Sequence, residues 1–344
     1  MFFNIKKNLN IFSEKIDEIK KEMKSLKIDL LELNKLFLEI KKINRASLMT
    51  NIINLTDIDK KDKEILALLM QNKFDNVIIN NNDICFENIN KYLQLVKPID
   101  IDVKYLKRVG GSKDGGYVMF TPPPPPHNVF NVENKENGNK PMNGKPPIAV
   151  SLGVSNYSPW DLEMANMGYK VLQYDGSIDK GPYSHSNILF FKKYVGVVSK
   201  DNVISINDIL SEFDFCEDCH NILQIDIENA EWEIFDKIDM GLLSKYFAQI
   251  IFEFHKCYPD NYELSQKKIN ILSKINKYYQ SIHAHHPNGG LNYYCRGIFF
   301  SDLIEVSYLR KDLLPNFTNF RSYGNLKNLD FPNNPTRPDL PIRF

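Results

Sequence analysis

The chain has 344 residues, 43% of them hydrophobic, and equal numbers of basic and acidic side chains, 43 of each. Such a length and composition predict a globular protein with one large domain and an appended segment, or with two domains. The formal net charge of zero lacks the positive excess of nucleic-acid binders, and no apolar stretch is long enough to span a bilayer. We therefore expect a cytoplasmic protein with no nucleic-acid partner and no membrane span.

The first 45 residues carry a heptad repeat. Its apolar positions alternate in spacing between four and three residues over about five heptads, and Lys and Glu occupy much of the other faces. The apolar positions are Ile5, Leu9, Phe12, Ile16, Ile19, Met23, Leu26, Leu30, Leu33, Phe37 and Ile40. The repeat predicts a coiled-coil helix over residues 1–45 and a homo-oligomer, a dimer or trimer. The alternative is an intramolecular hairpin against a helix at residues 65–70.

Three further segments precede the main alternating pattern. Residues 46–103 are predicted to form a helical connector. The main domain is predicted to span residues 104–344, and near its start paired glycines and Asp114-Gly115 predict a tight turn before a strand at Tyr117–Phe120. Residues 121–147 open with a run of prolines and continue with Asn and Gly, which is typical of an exposed polyproline II insertion.

From residue 148 the sequence alternates between strand and helix patterns. Strands are predicted at residues 148–152, 171–174, 188–198, 221–227, 248–254, 281–285 and 303–308. This alternation predicts an α/β fold with a mostly parallel sheet, helices on both faces and an antiparallel last pair. Ligands of such sheets bind at the carboxyl ends of the strands. The Pro- and Asn-rich tail is expected to lie extended on the surface.

The unit from Ile148 to Gly176 has the layout that a nucleotide-like ligand requires. Gly153 follows the first strand, Ser158-Pro159 begins a helix, and Asp175 ends the second strand. A glycine lets a ligand approach the backbone, and a carboxylate about twenty residues later accepts hydrogen bonds from ribose hydroxyls. Because the further glycines of a dinucleotide fingerprint are missing, the pattern favours S-adenosylmethionine (SAM) over NAD or FAD. An ordinary βαβ unit would show the same pattern.

Acidic and histidine side chains converge at the ends of several predicted strands. They are Asp226, Glu228, Glu253, His255, His283 and His285. Several ionisable groups at one sheet edge predict a site. His255 is the candidate general base, oriented by Glu253 or Asp226, and His283 or His285 is the alternative. Asp226, Glu228 and His255 are also candidate ligands for Mg²⁺, so metal dependence stays open.

Four segments, in this order, resemble the FkbM-type and methyltransferase-like-24-type SAM-dependent methyltransferases: SLGVSNYSPWDLEMANMGYKVLQYDGS, ILQIDIENAEWEIFD, IIFEFH and IHAHHPNGGLNYY. The upstream segment RVGGSKDGGYVM and the tail segment LDFPNNPTRPD are similar to the same group. The resemblance covers Tyr105 to the C-terminus, without the proline-rich insertion. It departs from the group's pattern at Asn229, which stands where the group has glycine, and at His286-Pro287. It implies a Rossmann-like seven-stranded methyltransferase sheet that follows the N-terminal coiled coil.

The resemblance also implies a cofactor and a reaction. Gly153 would approach the amino-acid moiety of SAM, Asp175 would hold the ribose hydroxyls, and Asp226 would lie near the methionine end. The full set of cofactor-binding candidates is Ser151, Gly153, Asp175, Gly176, Asp226 and Glu228. The implied reaction is O-methylation of a nucleotide-linked or polymer-linked sugar in bacterial capsule or other surface-polysaccharide biosynthesis.

Three alternative functions remain beside this one. One is a Rossmann-type oxidoreductase. Another is a glycosyltransferase, for which Asp57-Ile-Asp59 and Asp100-Ile-Asp102 match the metal-binding D-x-D pattern by letter. The third is a coiled-coil scaffold whose methyltransferase-like domain is inactive.

Overall fold

The structure is a computed structural model that describes residues 2–54, 58–71, 77–121, 145–314, 319–322 and 324–344. The proline run and most of the predicted insertion, residues 122–144, lie outside the described residues. The chain divides into two units, residues 1–70 and 71–344. The described helices are each too short or too polar to cross a membrane.

The N-terminal unit is built from a long helix and a shorter one. Helix α1 spans Phe2–Asn54 and helix α2 spans Lys60–Gln71. The helix continues past the predicted end at residue 45 because residues 46–54 contain neither Gly nor Pro. The apolar stripe is exposed: from Ile16 to Ile40 its eight members are between 41% and 66% exposed. The described part of the chain therefore does not cover this stripe between Ile16 and Ile40.

The C-terminal unit alternates strands and helices along the chain. Its elements are β1 (Val77–Ile79), α3 (Asp83–Val96), β2 (Leu106–Val109), β3 (Tyr117–Phe120), β4 (Ile148–Leu152), α4 (Pro159–Asn166), β5 (Lys170–Tyr174), β6 (Ile188–Phe191), β7 (Tyr194–Gly196), β8 (Val203–Ser205), α5 (Ile206–Glu212), β9 (Ile222–Ile225), α6 (Glu231–Lys237), α7 (Met240–Tyr246), β10 (Gln249–Phe254), α8 (Tyr262–Ile275), β11 (Tyr279–His285), β12 (Asn292–Cys295), β13 (Ile298–Ser301) and β14 (Ile304–Arg310).

Seven of these strands form the central sheet, in the order β11-β14-β10-β9-β4-β5-β6. Strand β14 runs antiparallel to both of its neighbours, and the other pairs are parallel. The predicted mostly parallel α/β sheet with an antiparallel last pair is confirmed. Strand β4 has β5 on one side and β9 on the other, so the strand order reverses between β4 and β9. This reversal fixes where a ligand of such a sheet binds.

The inner strands are buried along their whole length, as apolar runs covered on both faces should be. All residues of β4, β9 and β10 are buried. The polar members of these runs include Ser151, Gln224 and Glu253. Ser151 and Gln224 are partners in the β4–β9 register, and the Ser151 hydroxyl donates to Gln224 Oε1 at 2.9 Å. These polar breaks lie next to the carboxyl edge of the sheet.

Three features differ from the sequence predictions. The predicted strand at residues 188–198 is interrupted after Phe191, and its second half, β7, pairs with β8 outside the central sheet. The hairpin β12–β13, which joins β1 in a three-stranded sheet, was not predicted. The tail is not confined to the surface, because Leu340 and Ile342 are 0% and 2% exposed and pack into the unit.

Candidate active site

A cavity of about 210 Å³ lies at the carboxyl ends of β4, β5 and β9. It is lined by Asp114, Gly115, Tyr117, Gly153, Val154, Ser155, Tyr157, Ser158, Asp175, Ser177, Gln224, Asp226 and Glu228. The cavity adjoins the reversal of strand order, where open α/β sheets bind ligands. Its lining contains four carboxylates and neither Lys nor Arg among the described residues. The cavity is therefore suited to a ligand that carries positive charge.

Gly153 is fixed by a close approach of two backbone segments. Its φ is 84°, and a Cβ at this position would lie 1.7 Å from the carbonyl oxygen of Asp226. On either side of this contact, Gly153 N–H donates to Tyr174 and Asp226 N–H donates to Leu152. The glycine thus holds the loop after β4 against the loop after β9, and it also lines the cavity.

Asp175 organises the loop that follows β4. Its Oδ2 accepts the backbone N–H groups of Val154 and Ser155, each at 2.9 Å. Its Oδ1 accepts the N–H and the hydroxyl of Ser177, at 2.7 and 2.6 Å. Burial alone would raise the pKa of Asp175, but these four donors outweigh it and hold the pKa below its usual range. Asp175 is therefore a charged carboxylate in the cavity wall.

Two of the predicted cofactor-binding residues stand outside the cavity lining. Ser151 is fully buried within the sheet and bonds to Gln224. Gly176 packs under the ring of Tyr194, where a Cβ would lie 2.4 Å from ring carbon Cδ2. Both residues support the walls of the cavity from behind, and the structure gives neither of them a direct path to a ligand there.

Two consecutive side-chain hydrogen bonds, which the sequence did not predict, lead to Asp226. Gln224 Nε2 donates to the hydroxyl of Tyr117 at 3.2 Å, and that hydroxyl donates to Asp226 Oδ2 at 3.4 Å. Burial, followed by the nearby carboxylates, raises the pKa of Tyr117, so the phenol keeps its proton. The available sequence signal was Gln224 itself, a polar residue within the apolar run ILQI.

His255 lies just beyond β10, at the centre of four carboxylates. Its Nε2 lies 3.5 Å from Asp226 Oδ1 and 3.8 Å from both Glu228 Oε2 and Glu253 Oε1. On the other side of the ring, Nδ1 lies 3.3 Å from Oε1 of the buried Glu231, which also accepts the backbone N–H of His255. The predicted convergence of Asp226, Glu228, Glu253 and His255 is thus present in the structure. Glu231 is an additional member of this cluster.

The backbone after β9 takes an uncommon conformation that presents Glu228 to this cluster. Glu228 and Asn229 have φ values of 55° and 87°. Positive φ favours glycine and, among the other residues, asparagine. Position 229 therefore accommodates either residue. The Glu228 side chain is 88% exposed while it contacts the nearly buried His255.

The cluster holds four carboxylates around one imidazole, and the neighbouring cation Lys268 donates to the His255 carbonyl oxygen at 3.2 Å. Burial raises the pKa of Asp226 to about 7, and Asp114, Glu228 and Glu231 add to this shift while His255 opposes it. Burial also raises the pKa of Glu253, together with Asp226 and with Glu305, its direct cross-strand partner. The cluster therefore attracts protons or another cation.

His285 and His283, the alternative bases, lie away from the cavity lining and hold the C-terminal tail. His285 is fully buried, with Nδ1 3.2 Å from Glu305 Oε2 and Nε2 3.0 Å from Asp339 Oδ1. Burial would lower the pKa of His285, but the two carboxylates raise it to about 10. His283 Nε2 lies 2.8 Å from Asp330 Oδ1. In this arrangement both rings tie acids of the tail to β11.

The tail in turn supports the cavity wall. Asn333 donates through Nδ2 to Asp114 Oδ1 at 3.2 Å and to Glu305 Oε1 at 2.8 Å. Asp114 belongs to the turn between β2 and β3 and lines the cavity. A segment near the end of the chain thus connects β14 to the turn beside the candidate site.

No protein-family model matches the chain, and no curated protein matches it. The fold and the site define an α/β protein with an acidic cavity at the reversal of its strand order and a histidine–carboxylate cluster beside that cavity. Any more specific function has to be argued from this chemistry.

Proposed function

We propose that the chain is a SAM-dependent O-methyltransferase that acts on a sugar hydroxyl. The observation that carries the proposal is the cavity at the strand-order reversal, which is lined by four carboxylates and no described Lys or Arg. SAM carries two cationic groups, a sulfonium and an ammonium, and only one carboxylate. NAD and nucleotide sugars bring a pyrophosphate, which four carboxylates would repel.

Asp175 is the residue suited to the ribose of SAM. All four of its accepting positions are occupied in the structure, and three of its donors are backbone N–H groups. The fourth donor, the Ser177 hydroxyl, is attached by a single rotatable bond. We propose that a ribose hydroxyl replaces this hydroxyl on Asp175, while the backbone donors keep the carboxylate in place.

The cluster around His255 is suited to the acceptor. When bound, SAM supplies an electrophilic methyl group, so the protein has to orient the sugar hydroxyl and remove its proton. Asp226 borders both the cavity and the cluster, and the exposed Glu228 carboxylate can accept bonds from further sugar hydroxyls. Glu231 Oε1 lies 3.3 Å from His255 Nδ1, and Nε2 faces the acids at the cavity edge.

The acceptor class and the cellular location follow from the resemblance. We propose a sugar of a bacterial capsule or other surface polysaccharide, linked to a nucleotide or to the polymer, and a cytoplasmic enzyme. The acidity of the site adds one constraint to this proposal. The sugar ring can approach the carboxylates, whereas any phosphate attached to it has to remain outside the cavity.

The alternative functions find less support in the site. Asp102, in one of the two D-x-D matches, accepts the Lys104 N–H, pairs with the Lys104 ammonium and does not line the cavity. Asp57, in the other match, lies outside the described residues. A scaffold with an inactive domain would not need an acidic cavity beside a buried histidine.

Calorimetric titration of the purified chain with SAM, NAD, GDP and UDP tests the proposal. We expect micromolar binding of SAM and none of NAD. His255→Ala should keep SAM affinity within about threefold of the wild type and lose turnover on sugar acceptors, because proton removal typically contributes 10²–10⁴-fold. Absence of SAM binding would overturn the proposed function, and unchanged turnover would remove His255 from the acceptor site.

We also propose that α1 assembles the chain into a homo-oligomer. The apolar stripe on α1 is about half exposed over more than three heptads. A sustained apolar seam of this kind is stabilised by burial against further copies of the same helix.

A further inference from the structure

The atoms that surround His255 Nε2 are spaced too widely for direct hydrogen bonds. The three nearest carboxylate oxygens lie 3.5, 3.8 and 3.8 Å away, whereas a charge-assisted N–H···O bond is about 2.7–2.9 Å long. His255 is nevertheless only 6% exposed. The Nε2 atom of a largely buried histidine thus faces several oxygens across a gap.

The gap has the dimensions of a metal site. One ligand atom each from Asp226, Glu228 and His255 all lie within 4.8 Å of one another. Ligands bound at about 2.1 Å from one ion are about 3.0 Å apart when adjacent and about 4.2 Å apart when opposite. The observed separations of 3.5 and 3.8 Å fall between these two values.

The outer contacts of His255 are those of a metal-binding histidine. Metal-ligating imidazoles usually present one nitrogen to the ion and are oriented by a carboxylate at the other nitrogen. Glu231 occupies that second position at 3.3 Å, is itself fully buried, and is anchored by the backbone N–H of His255. With Glu231 beside Nδ1, Nε2 is the ring nitrogen that faces Asp226 and Glu228.

We propose that Asp226, Glu228 and His255 bind one divalent cation. Two carboxylates and one imidazole favour Mn²⁺, which accepts both oxygen and nitrogen ligands, over Mg²⁺, which prefers oxygen alone. Three protein ligands leave coordination positions for water or for a sugar hydroxyl. With the cation bound, His255 Nε2 is a ligand and cannot also be the base, so the cation would instead promote loss of the proton by polarising the hydroxyl. This role of the cation rests on the proposed function, whereas binding of the cation does not.

Titration of the full chain with MnCl₂, followed by the loss of the free-Mn²⁺ electron paramagnetic resonance signal, tests the site without SAM. We expect one Mn²⁺ per chain. Glu228→Gln and His255→Gln should each weaken binding at least tenfold, and Glu231→Gln should weaken it about tenfold through loss of ring orientation. Glu217→Gln removes an exposed acid that pairs with Lys245, and it should leave Mn²⁺ affinity unchanged.

Two results would overturn the inference: no Mn²⁺ bound by the wild-type chain, or equal affinity in wild type, Glu228→Gln and Glu217→Gln. The Glu228 side chain is exposed, so this variant should fold, and its thermal midpoint should match that of the wild type. A parallel SAM titration in EDTA separates the two proposals. SAM binding without Mn²⁺ binding would contradict only the cation site, and the reverse outcome would contradict only the SAM proposal.

Discussion

Asp175 and Asp226 are carboxylates on two sides of one cavity, and their surroundings give them different chemistry. Asp175 accepts four hydrogen bonds, three of them from backbone N–H groups, and has a lowered pKa. Asp226 is surrounded by other acids and receives its side-chain hydrogen bond from the weakly positioned Tyr117 hydroxyl at 3.4 Å. Asp175 is therefore suited to hold a neutral hydroxyl firmly, and Asp226 is suited to exchange protons or cations.

The first prediction separates the two roles of Asp175. Asp175→Asn should weaken SAM binding at least tenfold, because an amide presents N–H groups where the loop and the ribose both need acceptors. Ser177→Ala removes only the donor that we expect the ribose to replace, so it should leave SAM affinity unchanged or raise it. Calorimetry on both variants tests this. A tenfold loss in Ser177→Ala would show that the serine itself holds the ligand.

Some residues of the candidate site could be predicted from the sequence, and others could not. Spacing along single strands placed Asp226, Glu253 and His255 together, because residues at neighbouring strand ends meet at one sheet edge. The role of His285 could not be predicted in this way. Its partner Asp339 is 54 residues away in the chain, and nothing in the local sequence indicates that the tail returns to β11.

At the scale of elements, the parallel strands of the central sheet were predictable from the sequence. The three-stranded sheet of β1, β12 and β13 was not. Strands covered on both faces are continuous apolar runs, which sequence patterns identify well. The β12–β13 hairpin turns at Arg296-Gly297, with φ values of 49° and 85°. Such a turn normally carries Asn or Asp before the glycine. Because Arg296 stands at that position, the sequence did not predict the hairpin.

The second prediction concerns the contact between the loops after β4 and β9. Gly153→Ala should destabilise the C-terminal unit by about 3 kcal/mol or more, because the new methyl group would meet the Asp226 carbonyl at 1.7 Å. Gly111→Ala is the matched control, with a φ of 88° and open space around its Cβ position. It should cost only about 1–2 kcal/mol for the backbone conformation.

Urea unfolding followed by tryptophan fluorescence measures both variants. Trp160 and Trp232 are buried and both belong to the C-terminal unit, so their emission reports on that unit. Equal losses in Gly153→Ala and Gly111→Ala would show that the loops can move apart and that the contact does not fix the cavity wall.

The third prediction concerns the tail and alkaline pH. The folded-state pKa of His285 is about 10, against about 6.5 in the unfolded chain, so its stabilising charge is fully present below pH 6.5. This contribution is lost progressively as the pH rises to 10. We expect the thermal midpoint of the wild type to fall over this window.

The matched variants for this prediction are His285→Gln and His185→Gln. The first should be less stable by about 3–5 kcal/mol at pH 7, because Glu305 and Asp339 lose their buried partner, and it should respond less to alkaline pH. The His185 ring accepts a bond from the Asn187 N–H and lies in no described ion pair, and its variant should follow the wild-type curve. Parallel pH curves for wild type and His285→Gln would contradict the assignment.

At the scale of the whole molecule, the two units differ in whether their apolar side chains are buried. The C-terminal unit buries its apolar runs within itself, whereas α1 leaves a long apolar stripe exposed. The stripe broadens after Leu30, since Leu31, Leu36 and Leu38 are each more than half exposed beside it. A wider apolar face is typical of helices in bundles, which favours three strands over two.

We propose a parallel arrangement of these helices, which one pair of charges beside the seam supports. In the heptad frame with Leu30 at position a, Glu22 occupies position g and Lys27 the following position e. Parallel strands place Glu22 of one chain near Lys27 of another. The parallel arrangement also places Lys15 near Lys20, which is a repulsive pair. Antiparallel strands would instead place the e positions opposite one another, and these carry Lys6, Lys20, Lys27 and Lys41 but no acid.

The last prediction tests assembly and orientation together. Leu26→Glu with Leu33→Glu should convert the oligomer to a monomer in sedimentation equilibrium, because four or more charges would otherwise be buried in one seam. Lys35→Glu, a charge change outside the stripe, should leave the assembly intact. A wild-type monomer would overturn the proposed role of α1.

Ile19→Cys then reports the orientation of the strands. The five native cysteines are free and lie outside α1. In a parallel, in-register seam, the introduced thiols at this d position face each other and should form an interchain disulfide on mild oxidation. In an antiparallel seam centred on the stripe, residue 19 of one chain lies opposite residue 26 of the other, so the equivalent thiols are about 10 Å apart along the axis and beyond disulfide reach. Absence of the crosslink in an intact oligomer would therefore contradict the parallel arrangement.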